Sequence, residues 1–552
     1  MQRQNKVAFV ASGASRNRGK YMKNRLYLGL AVAALAAPMV FPSAPLQAQQ
    51  ITSGVEGAIA DDSGAPIPGA TVVITDTRTG ASRTVVTGAS GSFNASGLTV
   101  GGPYTVTATA EGYEGQTIEN ISLNLQGNAS LKFALTTGAG EIVVTAARVK
   151  LSQVAVGPGQ SFSTEILQNT PSFNRDVRDV IRMDPRVSLD RDDGGSGQDR
   201  ISCLGGNDRG NSFTVDGISQ GDIYGLNDTG FSSRSSTPIP FDAIRETQVQ
   251  FAPFDVDYGQ FTGCAINAVT KSGTNEYQFG GFFEYSDDGM RGNKVAGSKV
   301  APVEPEKRWG AYLGGPIIKD RLFVFGAYEH HEAGQSQDEG PTGADYPIEM
   351  PGVSKAQFDA IREVLNRVYK IDTGDLVFSR PFKNDRYFVR GDLQINDDHR
   401  FEATYQRLEE STMRADDLAT TGTFANTAVG RNTFYLSGTK SNYYSARLYS
   451  QWSDALQTEL RYSRSEVRDV QDPVGGGEAQ SGNPIPRIVV GVDNGATGTP
   501  GAVEAGPGFS RSANDLRTNV DQYRAVAKLD AGDHQIKVGM ELNRARRRGR
   551  IG

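Results

Sequence analysis

Two cysteines and four histidines in 552 residues leave little material for zinc sites, iron–sulfur clusters or a disulfide-dense framework. An excess of one charge is lacking as well. Lys and Arg number 57 against 63 Asp and Glu, and a net charge of −6 is too mild for a nucleic-acid binder. No apolar run reaches the roughly 20 residues of a membrane-spanning helix, and mean hydropathy is negative. A polytopic helical membrane protein is therefore excluded, whereas a membrane β-barrel is not, because its strands are apolar on one face only. There is no Gly/Pro period for collagen, and 38% hydrophobic residues is too many for global disorder. What is plentiful is glycine, at 65 residues, with 25 Phe and 20 Tyr. That mixture favours many strands and turns over helix bundles. The length is that of three or four domains.

The longest apolar run is Leu26–Ala37, preceded by Lys23 and Arg25 and followed by Pro38. With Leu46-Gln47-Ala48 ahead of Gln49, it reads as a secretory signal peptide. A short buried helix is the alternative, and the basic flank argues against it. Residues 1–48 are thus expected to be an export signal, with Met22 as the true start. The mature chain would begin near Gln49, in a compartment where cysteines can pair.

Residues 54–135 carry short β-rich runs such as Ala70–Thr75, Thr84–Thr87 and Tyr104–Ala108, separated by Gly, Pro, Asp and Ser. Tyr104, Val106 and Ala108 alternate with Thr105, Thr107 and Thr109. This pattern predicts a β-sandwich of about seven strands, with no convergent His, Asp or Cys to support catalysis. The pattern Asp61-Asp62-Ser63-Gly64-Ala65-Pro66-Ile67-Pro68-Gly69-Ala70, then Ser90-Gly91-Ser92-Phe93, then Gly112-Tyr113, resembles the carboxypeptidase regulatory-like domain, whose fold is similar to some carbohydrate-binding modules. The resemblance implies a spacer or binding module.

A linker, residues 136–160, contains Glu141, Ile142, Val143, Val144, Thr145 and Ala146. By its residues alone this hexamer is either the last strand of the sandwich or an extended segment that adds to a partner's sheet edge. It resembles the TonB box of TonB-dependent outer-membrane receptors, and a plug-like segment follows it over residues 161–273. In Asp176–Val187, Val177, Val180 and Ile181 fall on one helical face, although Arg186 stands where the family usually has glycine. Asn207–Gly217 resembles the family's strand pair, with Arg209, Gly210, Asp216 and Gly217 in its motif positions. Gly263–Gly273 is similar to the last plug strand. With Gly314–Phe323, the whole most resembles the Oar-like branch of these receptors, over about residues 54–546. Cys203 and Cys264 both lie in the plug-like segment. They are either buried thiols or a bridge, and an oxidising compartment favours the bridge.

From residue 274 to 552 the pattern changes to long alternating strands. Tyr387, Val389, Gly391, Leu393 and Ile395 alternate with Phe388, Arg390, Asp392, Gln394 and Asn396. Ile536, Val538, Met540 and Leu542 alternate with Gln535, Lys537, Gly539 and Glu541. Nine strands are expected, at 275–288, 307–318, 321–332, 383–396, 399–411, 441–452, 455–468, 517–530 and 534–546. Connections between them run long, short, long, short. A soluble barrel has no reason to sort its loops by rim, whereas a bacterial outer-membrane barrel has short turns on one rim and long loops on the other. Loop 333–382 should hold a helix, capped by Ser354 and Gln357 and apolar along Phe358, Ile361, Leu365 and Val368.

Several near misses are set aside. Gly13–Tyr21 is a phosphate loop with one residue too many and Tyr21 where Ser or Thr is required. Asp190–Gly194 brings its glycine one position early for a calcium loop, with Ile201 in place of the bidentate Glu. His330-His331-Glu332 reads as a polar strand end, because neighbours on a strand point to opposite faces.

The expectation is a mainly β protein: an N-terminal β-sandwich, an α+β plug, and the first part of an antiparallel transmembrane β-barrel. The resemblance implies energy-coupled uptake of a siderophore, glycan or peptide through the outer membrane, with the sandwich and plug facing the periplasm. Its partners would be a TonB-type energy-transducing protein, outer-membrane lipid and an extracellular substrate. No nucleic acid, no metal, no cofactor and no catalytic residue is expected. The alternative is an adhesion or surface-organising protein on the same scaffold. The family's barrel has 22 strands and an aromatic-ended last strand, whereas this sequence ends Arg544–Gly552; it is expected to be a fragment or frameshifted product.

Overall fold

The computed structural model describes residues 51–138, 141–145, 150–152, 158–172, 174–190, 200–221, 231–233, 237–253, 257–259, 261–295, 297–415, 426–477, 483–495, 498–508, 515–531 and 534–550. The chain divides into Met1–Ala44 and Pro45–Gly552, and only the second is described. The expected export signal, the Gly13–Tyr21 near miss and Ala146 lie outside the described residues.

Alternation builds the N-terminal sandwich. Its strands are β1 (Thr52–Asp61), β2 (Thr71–Asp76), β3 (Ser82–Val86), β4 (Ser92–Thr99), β5 (Gly101–Thr109), β6 (Gly115–Leu123) and β7 (Asn128–Leu135). Two short strands follow, β8 (Glu141–Thr145) and β9 (Lys150–Ser152). One sheet has the order β4-β1-β7-β9 and the other β3-β2-β5-β6-β8. Period-two burial puts Val72 and Ile74 of β2, Val106 of β5 and Phe133 of β7 into one core. Each such side chain contributes about 1.5–3 kcal/mol by leaving water.

The plug comprises β10 (Gly159–Phe162), α1 (Thr164–Asn169), α2 (Val177–Ile181), β11 (Val187–Asp190), β12 (Arg200–Cys203), β13 (Ser212–Val215), β14 (Ile218–Ser219), β15 (Ile244–Gln250) and β16 (Ala265–Thr270). Its sheet runs β10-β15-β16-β13-β14, with β13 and β16 parallel. The i, i+3, i+4 triad on α2 is fully buried. The helix starts at Asp176, whose side chain accepts from Arg178 N at 2.9 Å.

Among the described residues the third part has nine long strands: β17 (Gln278–Ser286), β20 (Glu306–Ile318), β21 (Leu322–Ser336), β24 (Ser379–Asn396), β25 (His399–Ala415), β27 (Phe434–Ser453), β28 (Leu456–Pro473), β31 (Asp515–Ala531) and β32 (His534–Arg550). They form one antiparallel sheet in chain order. Between them lie β18 (Lys294–Val295), β19 (Ser298–Lys299), β22 (Glu339–Thr342), β23 (Ile348–Ser354), α3 (Lys355–Val364), β26 (Thr427–Val429), β29 (Ile488–Val492) and β30 (Gly501–Ala505), all in the long loops. All nine expected strands are present. Most reach further on the long-loop side than expected, to Ser336, Ala415 and Pro473 for example. There the pairing continues through polar residues, so the apolar alternation stops before the strand does.

The apolar phase of each strand faces outward: Tyr387, Val389, Val538, Met540 and Leu542 are exposed. Rings pack across this outer face, Trp309 edge-on against Tyr328 at 5.0 Å and Tyr328 tilted against Tyr387 at 4.7 Å. Such an aromatic row suits a membrane interface. Among the described residues no helix is long and apolar enough to cross a membrane. Helix α3 has the expected capping box, with Ser354 and Gln357 bonding each other reciprocally. Val368, however, is 54% exposed. The helix widens into a π turn at Leu365–Tyr369, which rotates Val368 off the apolar face.

Candidate functional site

The plug and the wall meet at the Asp216-Gly217 turn. Val215 pairs with Ile218, so the two residues between them close a hairpin. Both sit at positive φ, 48° for Asp216 and 70° for Gly217, the geometry for which Asp-Gly is favoured in two-residue turns. The Asp216 carboxylate accepts from Thr270 N at 3.0 Å and Thr270 Oγ1 at 2.7 Å, which fixes the turn to the end of β16. Burial raises its pKa more than Arg390, 3.9 Å away, draws it down.

Strand register lines up a row of charges on the inner wall at this level. Asp392 pairs with Glu402, Glu402 with Arg447, Arg447 with Arg461, Arg461 with Arg524, and Arg524 with Glu541. Three adjacent arginines repel one another unless oxygens are supplied. The plug supplies them. Arg447 Nη2 donates to Asp216 O at 2.5 Å, and Arg461 Nη1 to Gly217 O at 2.8 Å. Arg524 Nη2 donates to the Asp257 carboxylate at 2.9 Å. On the acidic side, Glu402 accepts from Arg390 at 3.0 Å and Arg447 at 2.7 Å.

The other motif residues sit at the opposite end of β13. Gly210 O accepts from Thr262 N and Gly263 N at 2.9 and 3.0 Å, and a Cβ on Gly210 would stand 2.5 Å from Thr262 Oγ1. Cys203 and Cys264 form a disulfide here, with an S–S distance of 2.03 Å. Arg209 is exposed. The motif therefore contributes to two places, the disulfide end and the wall-facing turn, rather than to one site.

The sandwich docks at the short-turn rim and touches both other parts. On the plug, Arg245 Nη1 donates to Val100 O at 2.9 Å, and Glu246 accepts from Leu125 N at 3.0 Å. Ile51, Val100 and Val269 make a small shared apolar core. On the wall, Ser96 Oγ donates to Gln457 at 2.8 Å, and Arg83 and Arg400 bond Gln451 and Thr99. The backbone of Glu141–Thr145 runs parallel to β6, with Gly115 opposite Glu141 and Glu119 opposite Thr145. His330 and His331 diverge as adjacent strand residues must: His330 bonds Asp385 at 2.8 Å and His331 bonds Glu306 at 2.9 Å. Among the described residues no group of His, Cys, Asp or Glu is placed to hold a metal ion.

The row at Glu402, Arg447 and Arg461 was not singled out in the sequence. The available signal was a charge in the inward phase of each strand. Placing those charges at one height requires the register, which the short turns set within each hairpin and the pairing across the long loops sets between hairpins.

Three family models match the chain. These are the carboxypeptidase regulatory-like domain at residues 54–136, the TonB-dependent receptor plug domain at 155–264, and an outer membrane β-barrel domain at 269–344. The TonB-dependent transporter Oar of Myxococcus xanthus is 26% identical over 281 residues, covering 47% of this chain and 25% of that protein. Among solved structures, the outer membrane transporter YddB of Escherichia coli aligns at TM-score 0.47 and 13% identity, over 70% of this chain and 48% of that one. The siderophore receptor PirA of Acinetobacter baumannii aligns at TM-score 0.45 and 16% identity, again over 70% and 48%. The chain spans about half the length of these solved relatives and aligns with a quarter of Oar. A regulatory-like sandwich, a receptor plug and outer-membrane barrel strands follow one another in that order, and these matches together support a TonB-dependent receptor of the outer membrane.

Proposed function

We propose that the protein serves energy-coupled uptake of an extracellular siderophore, glycan or peptide across the outer membrane. In this reading a TonB-type inner-membrane protein pulls on Glu141–Ala146, and the sandwich and plug face the periplasm. The supporting observation is the way the plug is held. Its Asp216-Gly217 turn is gripped by Arg447 and Arg461 of the wall. A plug bonded to the strands beside it resists displacement, and work applied from outside would overcome that resistance. Substrate binding shifts the population toward a state in which the segment is available, and the pull then remodels the plug. The reading assigns no catalytic step and no cofactor to the chain.

Deleting Glu141–Ala146 tests it in the producing bacterium. Loss of uptake with retained surface binding is the expected result. Uptake that persists without the segment would overturn it. A surface phenotype unaffected by loss of the energy-transducing protein would favour an adhesion role instead.

A further inference from the structure

We propose that the β6 edge of the sandwich stores Glu141–Thr145, so that the N-terminal domain controls access of an energy-transducing partner to that strand. The inference rests on the reading of this segment as the one that is pulled.

Three observations carry it. First, β8 pairs with β6 through five successive registers, from Gly115–Glu141 to Glu119–Thr145, as the terminal strand of a five-stranded sheet. Second, the chain entering β8 is fastened to the entry of β6. Glu114 N donates to Thr136 O at 2.8 Å, Thr136 Oγ1 donates to the Glu114 carboxylate at 3.1 Å, and Gly138 N donates to Gly112 O at 3.3 Å. Third, the chain beyond it pairs with the opposite sheet. Lys150–Ser152 runs antiparallel to β7, with Asn128 opposite Ser152. The two described strands of the linker are therefore held by opposite sheets of the sandwich.

Recognition of an extended segment by strand addition uses its backbone N–H and C=O groups for affinity and pockets for its side chains for specificity. A strand already paired with β6 has committed the groups on one of its edges and has one flank against a neighbour. The free β6 edge left behind when it departs is itself an unsatisfied row of donors and acceptors. Storage on β6 and capture through that same edge of the strand are thus alternatives, and the balance between them is set by the sandwich.

The test uses the purified protein carrying Glu119→Cys and Thr145→Cys, a facing pair in this register. The native cysteines are already joined and do not compete. A short bifunctional maleimide should cross-link this pair and leave a Ser90→Cys, Thr145→Cys control unlinked. The periplasmic domain of the bacterium's TonB-type protein should then bind the cross-linked form at least tenfold more weakly than the same variant with each thiol capped singly. Failure to cross-link, or equal binding by the linked and capped forms, would overturn the storage proposal. A synthetic Glu141–Ala146 peptide is tested against the same domain. If neither the peptide nor the capped protein binds, the parent reading of the segment fails, and the storage proposal with it. Peptide binding combined with equal binding by linked protein removes the storage proposal alone.

Discussion

Arg461, on the inner face of β28, donates through Nη1 to the carbonyl oxygen of Gly217 at 2.8 Å. Its neighbour in the register, Arg447, does the same to Asp216 O at 2.5 Å. The turn that closes the β13–β14 hairpin is therefore one place where plug and wall are joined by backbone oxygens rather than by carboxylates. Such acceptors cannot be removed by protonation, so this contact survives acid better than an ion pair would.

Glu402 and Arg461 should differ sharply when neutralised. Glu402 balances two buried arginines, Arg390 and Arg447. Glu402→Gln leaves both under-compensated and should cost about 3–5 kcal/mol. Arg461→Gln breaks one bond to a carbonyl and also relieves repulsion from Arg447 and Arg524, so its cost should stay within about 1–3 kcal/mol. Urea-induced exposure of the plug to protease, compared between the two variants, checks the order. Equal midpoints would contradict it.

Gly217 stands at φ 70°. Gly217→Val forces a branched side chain into the left-handed region and should cost at least about 1–2 kcal/mol. The loss should appear as faster proteolysis of the plug, with the strands of the wall unchanged by circular dichroism.

The Cys203–Cys264 bridge spans 61 residues of sequence. By the loop-closure argument its removal should destabilise the plug by about 4 kcal/mol. Cys203→Ser with Cys264→Ser should shift plug unfolding to lower urea concentration, and reductant should have no further effect on that variant.

Asp176 gives the plug a pH dependence. Burial pushes its pKa up, and the Arg178 guanidinium with two kinds of hydrogen bond outweighs this, holding the carboxyl below the ordinary range. A depressed pKa contributes stability that is complete above the unfolded value, about 3.9, and is lost as pH falls through the folded one. Plug stability should therefore drop below about pH 4, and Asp176→Asn should flatten that part of the profile. A profile unchanged by the substitution would remove Asp176 as its source.

The nine wall strands were legible because each carries one apolar phase and eight of them join in four pairs closed by two- or three-residue turns on the same rim. The helix at Lys355–Val364 was legible from Ser354 and Gln357. The grip on the plug was not. Arg390, Asp392 and Glu541 were visible in the phase opposite the apolar one, but that Glu402, Arg447 and Arg461 share one height depends on the strand register: a short turn sets it between β27 and β28, whereas β25 and β27 pair across a long loop. The hexamer shows the same limit from another side. Glu141–Thr145 has the residues of a strand, and no property of those residues chooses between β6 and a foreign sheet.

The sandwich is fastened to two bodies that the proposed uptake would have to move apart. Arg245 and Glu246 tie it to the plug, while Ser96 ties it to Gln457 of the wall. A displaced plug must either drag the domain off the rim or shear away from it. The domain is therefore a joint whose weaker side sets the order of events. If the wall contacts yield first, the sandwich travels with the plug as one load. If the plug contacts yield first, the sandwich stays behind as a collar through which the unfolded plug must be drawn.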